Sequence, residues 1–194
     1  MKMQNRNEIG KKYISEMEII KLRTDLINNT LLKYLQPTIE FKALQLRKII
    51  EQILLSSLIA NAEKYKEYYK KIGKEWNARC ISRDLKRINA DFFPRAVIDN
   101  HREHKIDYKN NALTCDEIIK IYEKLGKLLH SQNPFNSPID YKKENIFINN
   151  SLKKIVDLLN THIIKPYGAD GFIYVGMKGV ETNGRAFFTW FEPI

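Results

Sequence analysis

Two cysteines, four histidines and no long apolar run set the first limits on this chain of 194 residues. Cys80 and Cys115 fall in different segments, so at most one long-range disulfide could form, and reduced thiols in the cytoplasm are the expectation. No apolar run approaches the ~20 residues that a membrane span requires. The richest stretch, 49–60, follows Arg47 and Lys48 and is interrupted by Glu51, Gln52, Ser56 and Ser57. The opening MKMQNRNEIGKK has no apolar signal-peptide centre. There is no fixed-period repeat and no low-complexity tract. The motifs GxSxG, HExxH, CxxC and the P-loop are all missing. Gly168, Gly171, Gly176 and Gly179 are scattered among strand-like residues and cradle no phosphate. These absences point away from a metal or cofactor, and none is expected.

What is present is basic charge. Lys and Arg number 33 against 23 Asp and Glu, a net charge of +10, which makes nucleic acid or an acidic partner the first ligands to consider. The excess is local. Residues 1–100 hold 20 basic and 12 acidic side chains, and the segment 64–87 alone holds nine against three. That segment supplies Lys64, Lys66, Lys70, Lys71, Lys74, Arg79, Arg83, Lys86 and Arg87, interleaved with Tyr65, Tyr68, Tyr69 and Trp76. Such residues could neutralise phosphates while the rings stack unpaired bases. The plainer alternative is a solvated helix face with its aromatics turned inward. No zinc-finger, RNP or basic-zipper signature accompanies it.

The length and the 43% hydrophobic content suit a single domain over 1–194. Its parts are an N-terminal helix (1–36), a helical core (37–165) and a C-terminal β-hairpin appendage (166–194). Apolar residues recur at helical spacing from Ile14 to Ile27. They recur again beyond Thr38, a suitable N-cap, through Leu46, Ile50, Ile53 and Leu54. That second helix predicts the spine of the core and reaches about Tyr69. A third helix fits 76–88, with Cys80, Ile81, Leu85 and Ile88 on its apolar stripe. Pro94 ends helical structure, and 95–98 and 105–108 read equally well as a β-hairpin or an ordered loop. Thr114 to Glu117 is a capping box that opens a helix ending near His130. A further helix is predicted over about 141–164. The closing FIYVGMK and AFFTWF alternate as strands, with Asn183-Gly184 as the turn signal. The fold class is mainly α: a helical bundle with a short mid-chain extended segment and a C-terminal β-hairpin.

Among the histidines, His101 and His104 lie in a loop-like HREH with no third ligand nearby. His162 falls late in a predicted helix, where an imidazolium favours the helix dipole. His130, in GKLLHSQNPF, ends the capped helix before a Pro-locked turn and could face a groove or merely cap the last carbonyls.

LRKIIEQILLSSLIAN, the 76–89 segment with DFFP, and LTCDEIIKIYEKLGKLLHSQNPF resemble uncharacterised bacterial proteins with a HEPN-like helical core, over roughly residues 43–135. The resemblance implies a helical bundle and a place in toxin–antitoxin or phage-defence systems. Many members are dimeric, metal-independent ribonucleases. Their motif sets an Arg before a His with roughly four to six residues between them. Before His130 those positions hold Glu123, Lys124 and Leu125. Arg95 and His101 fit the spacing but cross an Asp-Asn turn signal. If the family chemistry persists in altered form, His130 would be the acid/base, Arg47 would stabilise phosphate charge and Glu51 would orient the ring. Alternatively, Arg47 and Glu51 are an ordinary helix salt bridge.

The leading expectation is a non-catalytic accessory or regulatory subunit of a bacterial defence or mobile-element system. It would bind a protein partner or form a homodimer, and meet DNA or RNA through the basic face. The other readings are a divergent ribonuclease and a pure interaction module using Phe187, Phe188, Trp190 and Phe191.

Overall fold

The structure, a computed structural model, describes residues 3–68, 77–100, 105–131, 135 and 137–192. It is mainly α, with strands concentrated toward the C-terminus. The helices are α1 (Met3–Asn29), α2 (Leu35–Ala60), α3 (Ala62–Tyr68), α4 (Ala78–Ile88), α5 (Cys115–Leu129) and α6 (Tyr141–Leu159). The strands are β1 (Arg95–Asn100), β2 (Lys105–Tyr108), β3 (Thr161–Ile164), β4 (Phe172–Gly176) and β5 (Phe187–Phe191).

As the spacing predicts, α2 is the spine. Ile39, Ala43, Leu46, Ile50, Ile53 and Leu54 are fully buried, and α1, α4, α5 and α6 all pack against it. From α1 come Ile9, Tyr13, Met17, Ile20 and Ile27, one buried residue every turn or two. Gln45 and Gln52 are buried on the same spine, and Arg23 of α1 satisfies both by donating to their side-chain oxygens. α2 starts earlier than its sequence suggests. Tyr34 is the N-cap, Pro37 sits inside the first turn, and Thr38 donates its backbone N–H to the Tyr34 carbonyl at 3.0 Å. A first-turn proline gives up an amide that had no helical partner, so Pro37 is accommodated there and Thr38, read as the N-cap, lies inside the helix.

α2 breaks at Asn61 and resumes as α3, short of the single helix expected to Tyr69. α4 starts at Ala78 with Asn77 as its cap, accepting from the Arg79 N–H at 3.0 Å. The capping box at Thr114 forms in full, with Glu117 N–H donating to Thr114 Oγ1 and Thr114 N–H to Glu117 Oε2.

The largest departure is at 160–164. The helix expected to reach Ile164 ends at Leu159, and Thr161–Ile164 forms strand β3. Three of its four residues are β-branched, and β3 pairs on both sides, with β1 and β4. It therefore joins the two extended pieces read separately in the sequence into one antiparallel sheet of order β2-β1-β3-β4-β5. Of the two readings left open for 95–108, the hairpin is the one that forms. At the last turn, Asn183 (φ 52°) and Gly184 (φ 77°) both take the left-handed conformation that the Asn-Gly pair signals.

Register divides the sheet into two faces. Ala96, His162, Val175 and Phe188 are cross-strand partners on the face toward the helices. Gly10 of α1 lies directly under the Phe188 ring, where a Cβ would collide with it. Arg95, Ile163, Tyr174 and Thr189 are partners on the opposite face, where Val97, Ile163 and Tyr174 form a second small core with Ile106, Phe172 and Phe187.

Candidate nucleic-acid interface

α4 separates its residues cleanly. Ala78, Ile81, Leu85 and Ile88 are buried, while Arg79, Arg83, Lys86 and Arg87 are exposed. Three of these cations have acidic neighbours: Arg79–Glu123 at 3.4 Å, Arg83–Asp84 at 3.2 Å and Lys86–Asp116 at 3.9 Å. The Arg79–Glu123 and Lys86–Asp116 pairs are exposed and contribute little, so a polyanion can compete for those cations at small cost, whereas Asp84 is buried and ties Arg83 more firmly. Lys64 and Lys66 stand on α3; the Lys64 ammonium lies 5.3 Å from the centre of the Tyr167 ring, and Lys66 is exposed. Tyr65 turns inward and is buried, as the plainer reading of the aromatics requires. Lys70, Lys71 and Lys74, with Tyr69 and Trp76, lie outside the described residues, as do His101 and His104.

Beside α4 a cleft of about 550 Å³ opens between the α4–β1 and β2–α5 loops. Lys86, Phe93, Arg95, Tyr108, Lys109 and Asp116 contribute to its walls. A second hollow of about 250 Å³ continues from it and is lined by Lys165, Asp170 and Phe172. Asp91, Phe93, Arg95 and Tyr108 line both, so the two hollows adjoin along these side chains as a bipartite groove beside α4 and the sheet. At its waist the Arg95 guanidinium pairs with Asp91 and lies 5.4 Å from the Tyr108 ring centre. At its far end the open sheet face carries an aromatic cluster. Phe172 stacks on Phe191 at 5.3 Å, and Tyr174 meets Phe191 edge-on at 5.9 Å. Tyr108 and Phe191 are exposed. Sequence reading missed this groove, because its parts come from segments 70 residues apart that only the β1–β3 pairing brings together.

The proposed acid/base residues have a different setting. Arg47 donates to Tyr122 Oη at 2.7 Å, with its guanidinium 3.9 Å from that ring's centre. Tyr122 Oη donates in turn to Glu51 Oε1 at 3.2 Å, and Arg47 Nε lies 3.8 Å from the same oxygen. Burial raises the Tyr122 hydroxyl above its usual range; Arg47 opposes that shift and Glu51 adds to it. Gly126, one turn on, leaves room for the guanidinium. His130 follows a turn later as the exposed C-cap of α5. Arg47 and Glu51 are thus joined through Tyr122 of α5, a residue that the sequence alone did not mark. The trio ties α2 to α5. Tyr122→Phe should lower the unfolding free energy by about 1–2 kcal/mol, read from urea melts, since it leaves Arg47 and Glu51 short of a partner each.

His162 is not at a helix end. It is fully buried on β3, where the Leu159 carbonyl can only accept, so Nδ1–H donates to it at 2.8 Å. Nε2 must then accept from Tyr13 Oη at 2.9 Å. Burial holds this imidazole neutral, with its pKa lowered to about 4. Cys80 and Cys115 are free, and burial, assisted by Asp116, pushes the Cys115 thiol up to about 12. Among the described residues no three His, Cys, Asp or Glu side chains are grouped to hold a metal, and no helix is long and apolar enough to cross a membrane. No protein-family model, curated protein or solved structure matches this chain.

Proposed function

We propose that this chain is a non-catalytic binding subunit that holds single-stranded nucleic acid along the α4 face and the groove beside it. The observation that carries this reading is the adjacency of three features: exposed cations on α4, the Arg95–Tyr108 pair that lines both hollows, and the aromatic sheet face. Cations follow a phosphate backbone and flat rings stack bases without regard to sequence. The subunit would serve in the cytoplasm within a bacterial defence or mobile-element assembly, the setting implied by the sequence resemblance of residues 43–135 to HEPN-like proteins. A protein partner is supported by the apolar side chains exposed at the α1–α2 end, among them Leu22, Leu26, Leu31 and Phe41.

Fluorescence anisotropy with labelled single-stranded DNA and RNA oligonucleotides tests it. Affinity should fall with salt, with a logarithmic slope of ~0.7 for each phosphate contacted. Reversing Lys86 and Arg87 to Glu should weaken binding on the order of 10-fold and flatten that slope. Arg95→Ala with Tyr108→Ala should weaken it by roughly 10-fold through lost stacking. Affinities untouched by both double variants would remove the groove from the account.

A second reading is a divergent metal-independent ribonuclease, favoured by the convergence of Arg47, Glu51 and Tyr122 a turn or two from His130 on α5. Incubating total RNA with the protein in EDTA, beside His130→Ala, decides it. Cleavage lost in the variant supports His130 as acid/base, and equal cleavage by both proteins removes it.

A further inference from the structure

We propose that β5 pairs antiparallel with β5 of a second copy of this chain, across a two-fold axis at Thr189, joining two five-stranded sheets into one. β5 is one end of the sheet, and among the described residues no strand pairs with its outer side. The opposite edge, β2, carries Lys105 and Asp107, charges of the kind that discourage edge pairing. β5 is FFTWF, with no charge and no proline. It is also close to a palindrome, and that singles out a second copy over an unrelated strand.

Antiparallel pairing centred on Thr189 sets Phe187 opposite Phe191 and Phe188 opposite Trp190, each twice by symmetry. Those are aromatic cross-strand pairs, among the favourable ones in antiparallel sheets. The faces agree as well. Phe187 and Phe191 lie on the open side, so the aromatic clusters of the two copies would run together into one wider open face across the seam. Phe188 and Trp190 lie on the helix side, over α1. In a chain of net charge +10, this uncharged strand is where two copies approach at least electrostatic cost.

Thr189 is exposed and sits on the axis, so a charge placed there meets its own copy directly. Size-exclusion chromatography with light scattering should show the native chain at twice its 22.9 kDa mass. Thr189→Lys and Thr189→Glu should each be monomeric, with unchanged circular dichroism and melting temperature, while Thr189→Val stays dimeric. Mixing the Lys and Glu variants in equal amounts should restore the dimer, because opposite charges then face each other. A native chain that is monomeric at every soluble concentration overturns the proposal. So does a dimer indifferent to Thr189→Lys, or a Lys/Glu mixture that remains monomeric.

Discussion

Lowering the pH from 7 to 5 should reduce the unfolding free energy by about 2 kcal/mol, and His162→Gln should abolish most of that loss. The folded-state pKa of His162 is lowered to about 4, while in the unfolded chain the ring titrates at its ordinary 6.5. Above pH 6.5 both states hold it neutral and its contribution is fully present. Between pH 6.5 and 4 the unfolded state takes a proton that the folded state refuses, so stability falls as pH falls. The total loss approaches roughly 3 kcal/mol below pH 4.

The cause is local. With Nδ1–H committed to Leu159 O and Nε2 accepting from Tyr13, a second ring proton would point a donor at a hydroxyl already donating. The Tyr13 hydroxyl, which also meets Ser56, would have to turn around in the core. Glu8, Glu18 and Glu117 are held below the usual carboxylate value of 4.5, so their contributions fade only below that pH. Glu16, raised by burial, takes its proton first in the folded state and acts in the opposite direction; the downward trend in the upper window is that of histidine. Gln retains a donor and an acceptor and does not titrate. Urea midpoints of both proteins from pH 7 to 5 provide the measurement. A native slope that survives in His162→Gln would show that the dependence arises elsewhere.

Asn61→Leu should cost about 3 kcal/mol, the other large effect. Asn61 is buried where α2 breaks into α3, and its side chain joins three segments. Its Nδ2 donates to the Ser57 carbonyl at 2.8 Å, and its Oδ1 accepts from Asn89 Nδ2 and from the Tyr167 backbone N–H, each at 2.9 Å. Asn89 donates onward to the Lys165 carbonyl at 2.7 Å. A leucine fills the volume and strands these groups without partners. Asn61→Asp is the sharper probe, since it keeps the acceptor, loses the donor to Ser57 and buries a negative charge. It should be destabilised at pH 7 and recover as acid protonates the carboxyl into a donor. Chemical denaturation at pH 7 and 5 distinguishes the two variants, and equal pH responses would count against this account of Asn61.

Asn61 also shows where sequence reading stops. The apolar period of α2 is long and strong, so its role as spine was legible, and the capping box at Thr114 was legible to the residue. The break at Asn61 was not, because it is held by Asn89 and Tyr167, far away in the chain. Thr161–Ile164 failed for a related reason: Ile163 and Ile164 continue a helical apolar pattern as well as a strand pattern, and the choice rests on pairing with β1 and β4. The exposed cations of α4 followed directly from helical spacing, since four of them fall off the apolar stripe. Tyr122 and Tyr108 could not be singled out, and Arg95 stood out only for its spacing to His101, since each owes its setting to a neighbour on another segment.

The contacts between α1 and the last hairpin bear on how the chain folds. Ala186 N–H donates to Glu18, Lys21 to Gly184 O and Trp190 to Arg6 O, across sequence separations of 168, 163 and 184 residues. Closing loops that long costs entropy before any contact repays it. The α1–α2 hairpin, joined by a short connection, can form early, whereas docking of β5 onto α1 waits for the sheet to assemble. Amides of β4 and β5 should therefore gain hydrogen-exchange protection later during refolding than those of α2, and loosening of this seam should raise the unfolding rate more than it slows folding.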